Sequence, residues 1–237
     1  MEVVMIVVVA AVLMLGIEWA YPAIVQPQVR GWVLRLVCIN AVQIAVVVLA
    51  SVSFERYLPT WHLLDARPLG VLMGSVIGYV AITFVFYWWH RARHEIAWLW
   101  RWHQLHHSPV RIEVVTSFYK HPLEILANSI LISGVLHVGL GLDAKTAAIV
   151  TAIAGVAELV YHWNIATPRW LGFIFQRPES HRRHHERDHH RDNYSDLPLW
   201  DMLFGTFDNP HTRPRDCGFA DNAEARLGRF LRGRGPQ

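Results

Sequence analysis

Residues 69–89 carry no charged side chain, and a histidine, His90, follows at once. A run of about 20 apolar residues is what a helix needs to cross a bilayer's hydrocarbon core. Four further segments have the same character, roughly 3–20, 34–54, 124–142 and 145–163. The last two are joined only by the short Gly141-Leu142-Asp143-Ala144 turn and read as a helical hairpin. Gly70, Gly74 and Gly78 recur at helical spacing in the charge-free run, which lets a neighbouring helix approach closely. The expected fold class is all-α, an integral membrane helical bundle of about four to five membrane helices with a cytoplasmic, histidine-rich helical cap.

Charge placement sets the expected orientation. Apolar residues make up 53% of the chain and charged ones 17%, and the net charge of +3 is concentrated in loops. Arg30 and Arg35 lie between the first two spans; Arg91, Arg93, Arg101, Arg111 and Lys120 follow the third; an arginine-rich tail follows the fifth. Basic loops stay in the cytoplasm, so this pattern puts Met1 outside, Gln237 inside and the histidines on the cytoplasmic face. Trp19, Trp61, Trp88, Trp89 and Trp163 fall near span ends, as interfacial tryptophans do. Basic residues that follow this rule carry no nucleic-acid motif. Cys38 and Cys217 are too few for an iron–sulfur cluster or a cysteine zinc site.

The histidines are the chemistry. Two copies of one pattern, His103-x-x-His106-His107 and His181-x-x-His184-His185, flank the hairpin, and His90 and His94 stand just ahead of the first. Positions i, i+3 and i+4 share a helix face, so each triplet is expected to direct three imidazoles at a common point. Neutral imidazole suits iron, zinc, copper or nickel. The set suffices for two metal ions. His162, near the inner end of an apolar segment, is a ninth ligand candidate, and Glu158 lies one turn before it. Ionisable residues at membrane depth are costly and mark function, so Glu158 is read as a carboxylate ligand or as the acceptor that orients one; pairing with a cap arginine is the bland alternative. His121 is a possible ligand or supporting group, or simply a helix cap. His189 and His190 read as solvated surface.

The ordered motifs resemble a known family. Tyr87-Trp88-Trp89-His90-Arg91-Ala92-Arg93-His94, then Leu99-Trp100-Arg101-Trp102-His103-Gln104-Leu105-His106-His107-Ser108, look like the first two histidine boxes of the fatty acid hydroxylase superfamily. That group includes sterol desaturases and fatty acid, sterol and carotenoid hydroxylases. Pro178-Glu179-Ser180-His181-Arg182-Arg183-His184-His185 matches the third box, and Asn193-Tyr194 and Trp200–Thr206 also fit. The resemblance covers about residues 80–210. Two departures stand out: Ser195 follows Asn193-Tyr194 where the family often has glycine, and Glu158 with His162 stands where some relatives carry a histidine pair.

The resemblance implies a membrane-bound non-haem di-iron oxygenase. It would use O2 to hydroxylate or desaturate a C–H bond of a lipid such as a sterol or fatty acyl chain. Two iron ions would be held by His90, His94, His103, His106, His107, His162, His181, His184 and His185, with Glu158 as a catalytic carboxylate and His121, Asn164 and Asp201 supporting the ligands. Zinc can occupy such imidazole sites in preparations. Electrons would come from outside, from a ferredoxin, cytochrome or reductase, because the chain has no haem or dinucleotide motif of its own. Arg91, Arg93, Arg182, Arg183 and Arg187 offer a basic patch for such a donor. The implied organisation is 1–67 as N-terminal membrane helices, 68–210 as the histidine-box catalytic domain and 211–237 as a flexible basic tail. From a different class, a histidine-rich metal-binding or metal-transport membrane protein is the alternative; it would spread its ligands along a path through the bilayer.

Overall fold

The computed structural model describes residues 2–57, 59–214, 216–220 and 223–236. Met1 and Gln237, whose sides of the membrane the loop charges predict, lie outside them. The described residues form helices and no strands, with one isolated bridge between Glu186 and Cys217. In chain order the helices are α1 (Glu2–Ala20), α2 (Trp32–Tyr57), α3 (Gly70–Glu95), α4 (Ala97–His103), α5 (Pro122–Ser133), α6 (Ala144–His162), α7 (Pro178–His184), α8 (Pro198–Phe204) and α9 (Leu227–Phe230). A π-helical turn, Gly134–Gly139, prolongs α5. Among the described residues four helical segments are long and apolar enough to cross a membrane: Trp32–Ala50, Arg67–Glu95, Pro122–Gly139 and Ala144–His162; the apolar stretch Met5–Ala20 of α1 is shorter. Their outward faces are apolar, with Leu72 81% and Leu34 69% exposed. Water would make that surface an aggregation liability, whereas lipid tolerates it.

Small residues let the central pair close up. α3 packs against α6 at Gly78, where an added Cβ would stand 2.9 Å from the Val150 side chain and 3.0 Å from Leu142. At Gly74 the nearest atom would be Thr146 Cγ2, 3.1 Å away, while Gly70 faces open space. Two of the three glycines therefore serve the close approach that their spacing predicts. Ile82, Leu136, Leu142, Ala147 and Val150 form the core there.

α1 leans on the other side of α6. Trp163 Nε1 donates to the Met14 carbonyl at 2.9 Å, and the buried Glu18 carboxylate accepts the backbone N–H groups of Val114 and Asn164. α2 packs on α5, and its first residue, Trp32, donates from Nε1 to Glu113 at 2.7 Å.

The Gly/Arg-rich tail packs against the rest of the chain where it is described. Phe230 and Ala223 are buried in one cluster with Trp32, Leu105 and Tyr119. The Glu224 carboxylate accepts the Val110 N–H, and Gln104 donates to the Pro236 carbonyl. The reason is a sparse apolar pattern, Phe219, Leu227 and Phe230, that the high glycine and arginine content conceals.

Candidate metal centre

α3 and α6 end at the same face of the bundle, and α4 and α7 lie across it. α3 carries His90 and His94 on its final turns and stops at Ile96, whose extended backbone (φ −98°, ψ 111°) turns the chain into α4. α7 opens with Pro178, whose fixed φ suits a first helical turn. Glu179 anchors it, accepting from Thr167, Arg177 and Arg213.

All nine predicted histidines converge, in two groups. His90, His94, His103, His107 and His184 form one; His106, His162, His181 and His185 form the other; within each, one candidate ligand nitrogen per residue lies within 4.8 Å of all the rest. The triplets do not each serve a common point, as their spacing had suggested. His106 leaves its neighbours for the four-histidine group, and His184 leaves His181 and His185 for the five-histidine group. In both triplets the adjacent pair divides: His107 and His184 join the five-histidine group, His106 and His185 the four-histidine group. Each triplet instead stitches the two groups together. His107 and His185, one from each, stack with ring centroids 4.1 Å apart.

The outer nitrogens are tied down, and this fixes the tautomers. Nδ1 of His90 meets the Tyr194 carbonyl at 2.9 Å, that of His94 the His190 carbonyl at 2.7 Å, that of His184 the Asp192 carbonyl at 2.7 Å and that of His162 the Glu158 carbonyl at 2.9 Å. A carbonyl only accepts, so each Nδ1 is protonated and each Nε2 presents a bare lone pair inward. His103 is held by a carboxylate: its Nδ1 lies 3.1 Å from both oxygens of Glu124, which also takes an ion pair from Arg93.

The inner nitrogens fit a cation. His90 Nε2 and His103 Nε2 face each other at 3.1 Å, although both are lone-pair donors by this reasoning. His162 Nε2 meets His181 Nε2, and His181 Nε2 meets His185 Nε2, each at 3.1 Å. Nε2 of His94, His107 and His184 is buried without a partner. Facing lone pairs repel; a metal ion among them supplies the missing acceptor. Burial also pushes the imidazoles of His103, His106, His107, His181 and His185 well below their ordinary range, and that of His184 down to about 3, with nearby cationic groups adding to the effect. Neutral imidazoles are what a metal needs.

The carbonyls come from an unusual loop. Asp188, His190, Asp192 and Asn193 have φ of 63°, 41°, 65° and 51°, a left-handed backbone that Asn, Asp and His tolerate better than other side chains. Those turns aim the carbonyls of His190 and Asp192 inward. His190, expected at a solvated surface, thus holds His94 by its carbonyl, and its ring Nδ1 lies 3.1 Å from His107 Nδ1. Asp201 pins the end of the loop, accepting the N–H groups of Tyr194 and Ser195 and the Thr206 hydroxyl, and so stands behind the carbonyl that orients His90.

The other candidates sit elsewhere. The Glu158 carboxylate pairs with Lys120, not a cap arginine, and is in neither histidine group; it is the Glu158 backbone carbonyl that touches a ligand, His162. His121 caps α5, Nδ1 accepting from the Leu123 N–H and Nε2 donating to the Leu231 carbonyl, so both ring nitrogens are engaged. Asn164 braces the segment after α1 through Ile24 and Glu18. The basic docking patch is largely spent: Arg93 and Arg182 are buried, Arg91 pairs with Glu95, and Arg183 pairs with Glu186 and Asp208.

Glu124 was legible and passed over. It is an ionisable residue in the first turn of an apolar helix, the same signal that singled out Glu158.

The chain is similar in sequence to several known proteins. Over 139 residues the chain is 34% identical to an ornithine lipid hydroxylase of Rhizobium tropici, covering 57% of this chain and 42% of that one. It is 29% identical over 166 residues to a very-long-chain aldehyde decarbonylase of Arabidopsis thaliana (65% of this chain, 25% of that one). It is also 28% identical over 134 residues to the alkylglycerol monooxygenase of Homo sapiens (55% and 29%). The chain thus spans less than half the length of these relatives. No solved structure matches it significantly. The family model described as fatty acid hydroxylase matches residues 75–206. That stretch is more than half of the chain and contains all nine clustered histidines, so the chain belongs to the fatty acid hydroxylase family.

Proposed function

We propose that this protein is a membrane-bound, non-haem di-iron oxygenase that hydroxylates a lipid. The observation that carries the reading is the pair of all-imidazole groups, five and four histidines, stitched together at one end of an apolar helical bundle in this family. His90, His94, His103, His107 and His184 would hold one iron, and His106, His162, His181 and His185 the other. Bound iron supplies the oxidising power for attack on an unactivated C–H bond. In balance, C–H becomes C–OH and the second oxygen atom of O2 leaves as water, at the expense of two electrons and two protons. The electrons would come from an external donor of the ferredoxin, cytochrome or reductase class.

The protein's own residues do the positioning. Carbonyls of the 188–194 loop and of Glu158 hold the imidazole tautomers, Glu124 does the same for His103, and burial keeps water from the lone pairs. For Glu158 the reading is a supporting role: its ion pair with Lys120 holds the inner end of α6, and with it His162, in place. Loop charges favour a cytoplasmic site with the N-terminus outside. Ligands crowded at one end of the helices do not suit a transport path, which would place them along the bilayer depth.

The reading is tested by purifying the chain with its metals and extracting lipids from cells with and without the gene. Two irons per chain and a lipid heavier by one oxygen support it. A lipid lighter by two hydrogens would make it a desaturase, and an unchanged lipid profile with no bound iron would end it.

A further inference from the structure

Two cavities frame the path from membrane to metal. One, of about 10 Å³, lies beside the histidine groups and is lined by a ligand from each, His90 and His181, with Tyr161, Gln176, Ser195 and Asp196 among its other walls. The other is a groove of about 470 Å³ between α3 and α6, lined by Val71, Leu72, Val76 and Val80 on one side and Ile149 and Ile153 on the other. Both helices are long enough to cross the membrane, so the groove opens to lipid tails.

The same two helices line both: Val71 to Val80 of α3 with Ile149 and Ile153 of α6 wall the groove, and His90 of α3 with Tyr161 of α6, nearer the ends of those helices, wall the small cavity. The polarity changes along this line. The groove is almost wholly hydrocarbon. At the cavity stand Asp196 and Tyr161, which packs against His181 with ring centroids 4.4 Å apart. Ser195 is committed elsewhere, its hydroxyl donating to the Thr83 carbonyl and accepting the Leu197 N–H. Gln176 donates its amide to the Asn193 carbonyl. A carboxyl group offers acceptor oxygens whichever its protonation state. Asp196 thus brings acceptor oxygens to the cavity wall that His90 and His181 share.

An enzyme attacking the middle of an acyl chain would need hydrocarbon on every side of that carbon, since a buried carboxylate without donors is costly. On the oxygenase reading above, we infer that the substrate's hydrocarbon tail lies in the α3–α6 groove and that Asp196 accepts a hydrogen bond from a hydroxyl or ammonium group at its polar end, so that oxidation falls close to that end and not in mid-chain. Asp196 is then a substrate-positioning residue.

The test uses the full chain in lipid nanodiscs and hexadecan-1-ol carrying a photoreactive diazirine at its methyl end, with the matching methyl ether as a probe that cannot donate. Peptide mapping after irradiation should find the label between Val71 and Val80 or between Ile149 and Ile153. Val76→Trp, which fills the groove, should remove it while metal content stays normal. Asp196→Ala should lower labelling by the alcohol about tenfold or more, the loss of one hydrogen bond to a charged group, and leave the ether unaffected. Label scattered over the outer faces of α2 and α5 would overturn the seat for the tail. Equal loss for alcohol and ether, or no loss, in a folded and metal-loaded Asp196→Ala protein would overturn the role of Asp196. Labelling needs no turnover, so it stands apart from the oxygenase reading. Correct labelling without any oxidation would sink that reading alone, whereas a product oxidised in mid-chain would sink this one alone.

Discussion

Glu124 is the residue whose removal separates metal positioning from charge burial. Its side chain is 2% exposed, the paired Arg93 is 7% exposed, and both of its oxygens lie 3.1 Å from His103 Nδ1. Glu124→Leu has two effects. It strands a buried guanidinium, and breaking a buried ion pair from one side costs about 3–5 kcal/mol. At about 2–4 °C per kcal/mol for a chain of this size, the melting temperature should fall by on the order of 10 °C. It also frees the His103 ring, and loss of such a supporting partner weakens metal affinity by about 10–100-fold. The double variant Arg93→Met, Glu124→Leu removes both charges and should recover most of the stability, because no unpaired charge stays buried. It should not recover the metal, since His103 still lacks its acceptor. Thermal unfolding followed by circular dichroism reads the first effect, and metal-to-protein ratios during chelator titration read the second. The five-histidine group should lose its ion first, leaving about one ion per chain. If Glu124→Leu kept both ions at the original affinity, the claim that Glu124 orients His103 would be refuted, whatever happened to stability.

Three further outcomes are expected. His106→Ala and His184→Ala alter neighbouring boxes in mirrored ways, so the first should empty the four-histidine group and the second the five-histidine group; if either variant lost both ions together, the division would be wrong. Metal-free protein should melt lower at pH 5.5 than at pH 7.5. His184 binds its proton near pH 6.5 when unfolded and near 3 when folded, so the unfolded state takes up more protons as pH falls, a loss of about 1.4 kcal/mol from this residue alone at pH 5.5; a melting point independent of pH over that interval would contradict burial of neutral imidazoles. Single cysteines at the exposed Glu95 and Arg191, in a background lacking Cys38 and Cys217, should be labelled from the cytoplasm, and one at Leu63 (75% exposed) from the opposite side. Labelling of Glu95 and Arg191 from different sides would be incompatible with a single site.

Helical hydropathy is a local property, so the apolar segments, the hairpin at Gly141–Ala144 and the all-α class were legible in the chain itself, as were the nine histidines. Imidazoles repeated at helix-face spacing have few other uses. The partition of those histidines was not legible. Spacing says which residues share a face, but only the crossing of α4 and α7 over the ends of α3 and α6 decides that His106 and His184 reach past their own neighbours to the opposite group. The supports were hidden for a different reason. The carbonyls of His190, Asp192 and Tyr194 belong to the backbone, which every residue carries alike, so no side chain announces them, and only the run of left-handed residues turns them inward. Glu158 and Glu124 look alike in the sequence, each a carboxylate in an apolar helix. The packing of α5 places Glu124 against Arg93 and His103 and leaves Glu158 to Lys120, because a carboxylate's role is set by which cation the fold brings within reach, and that is a contact between segments distant in the chain.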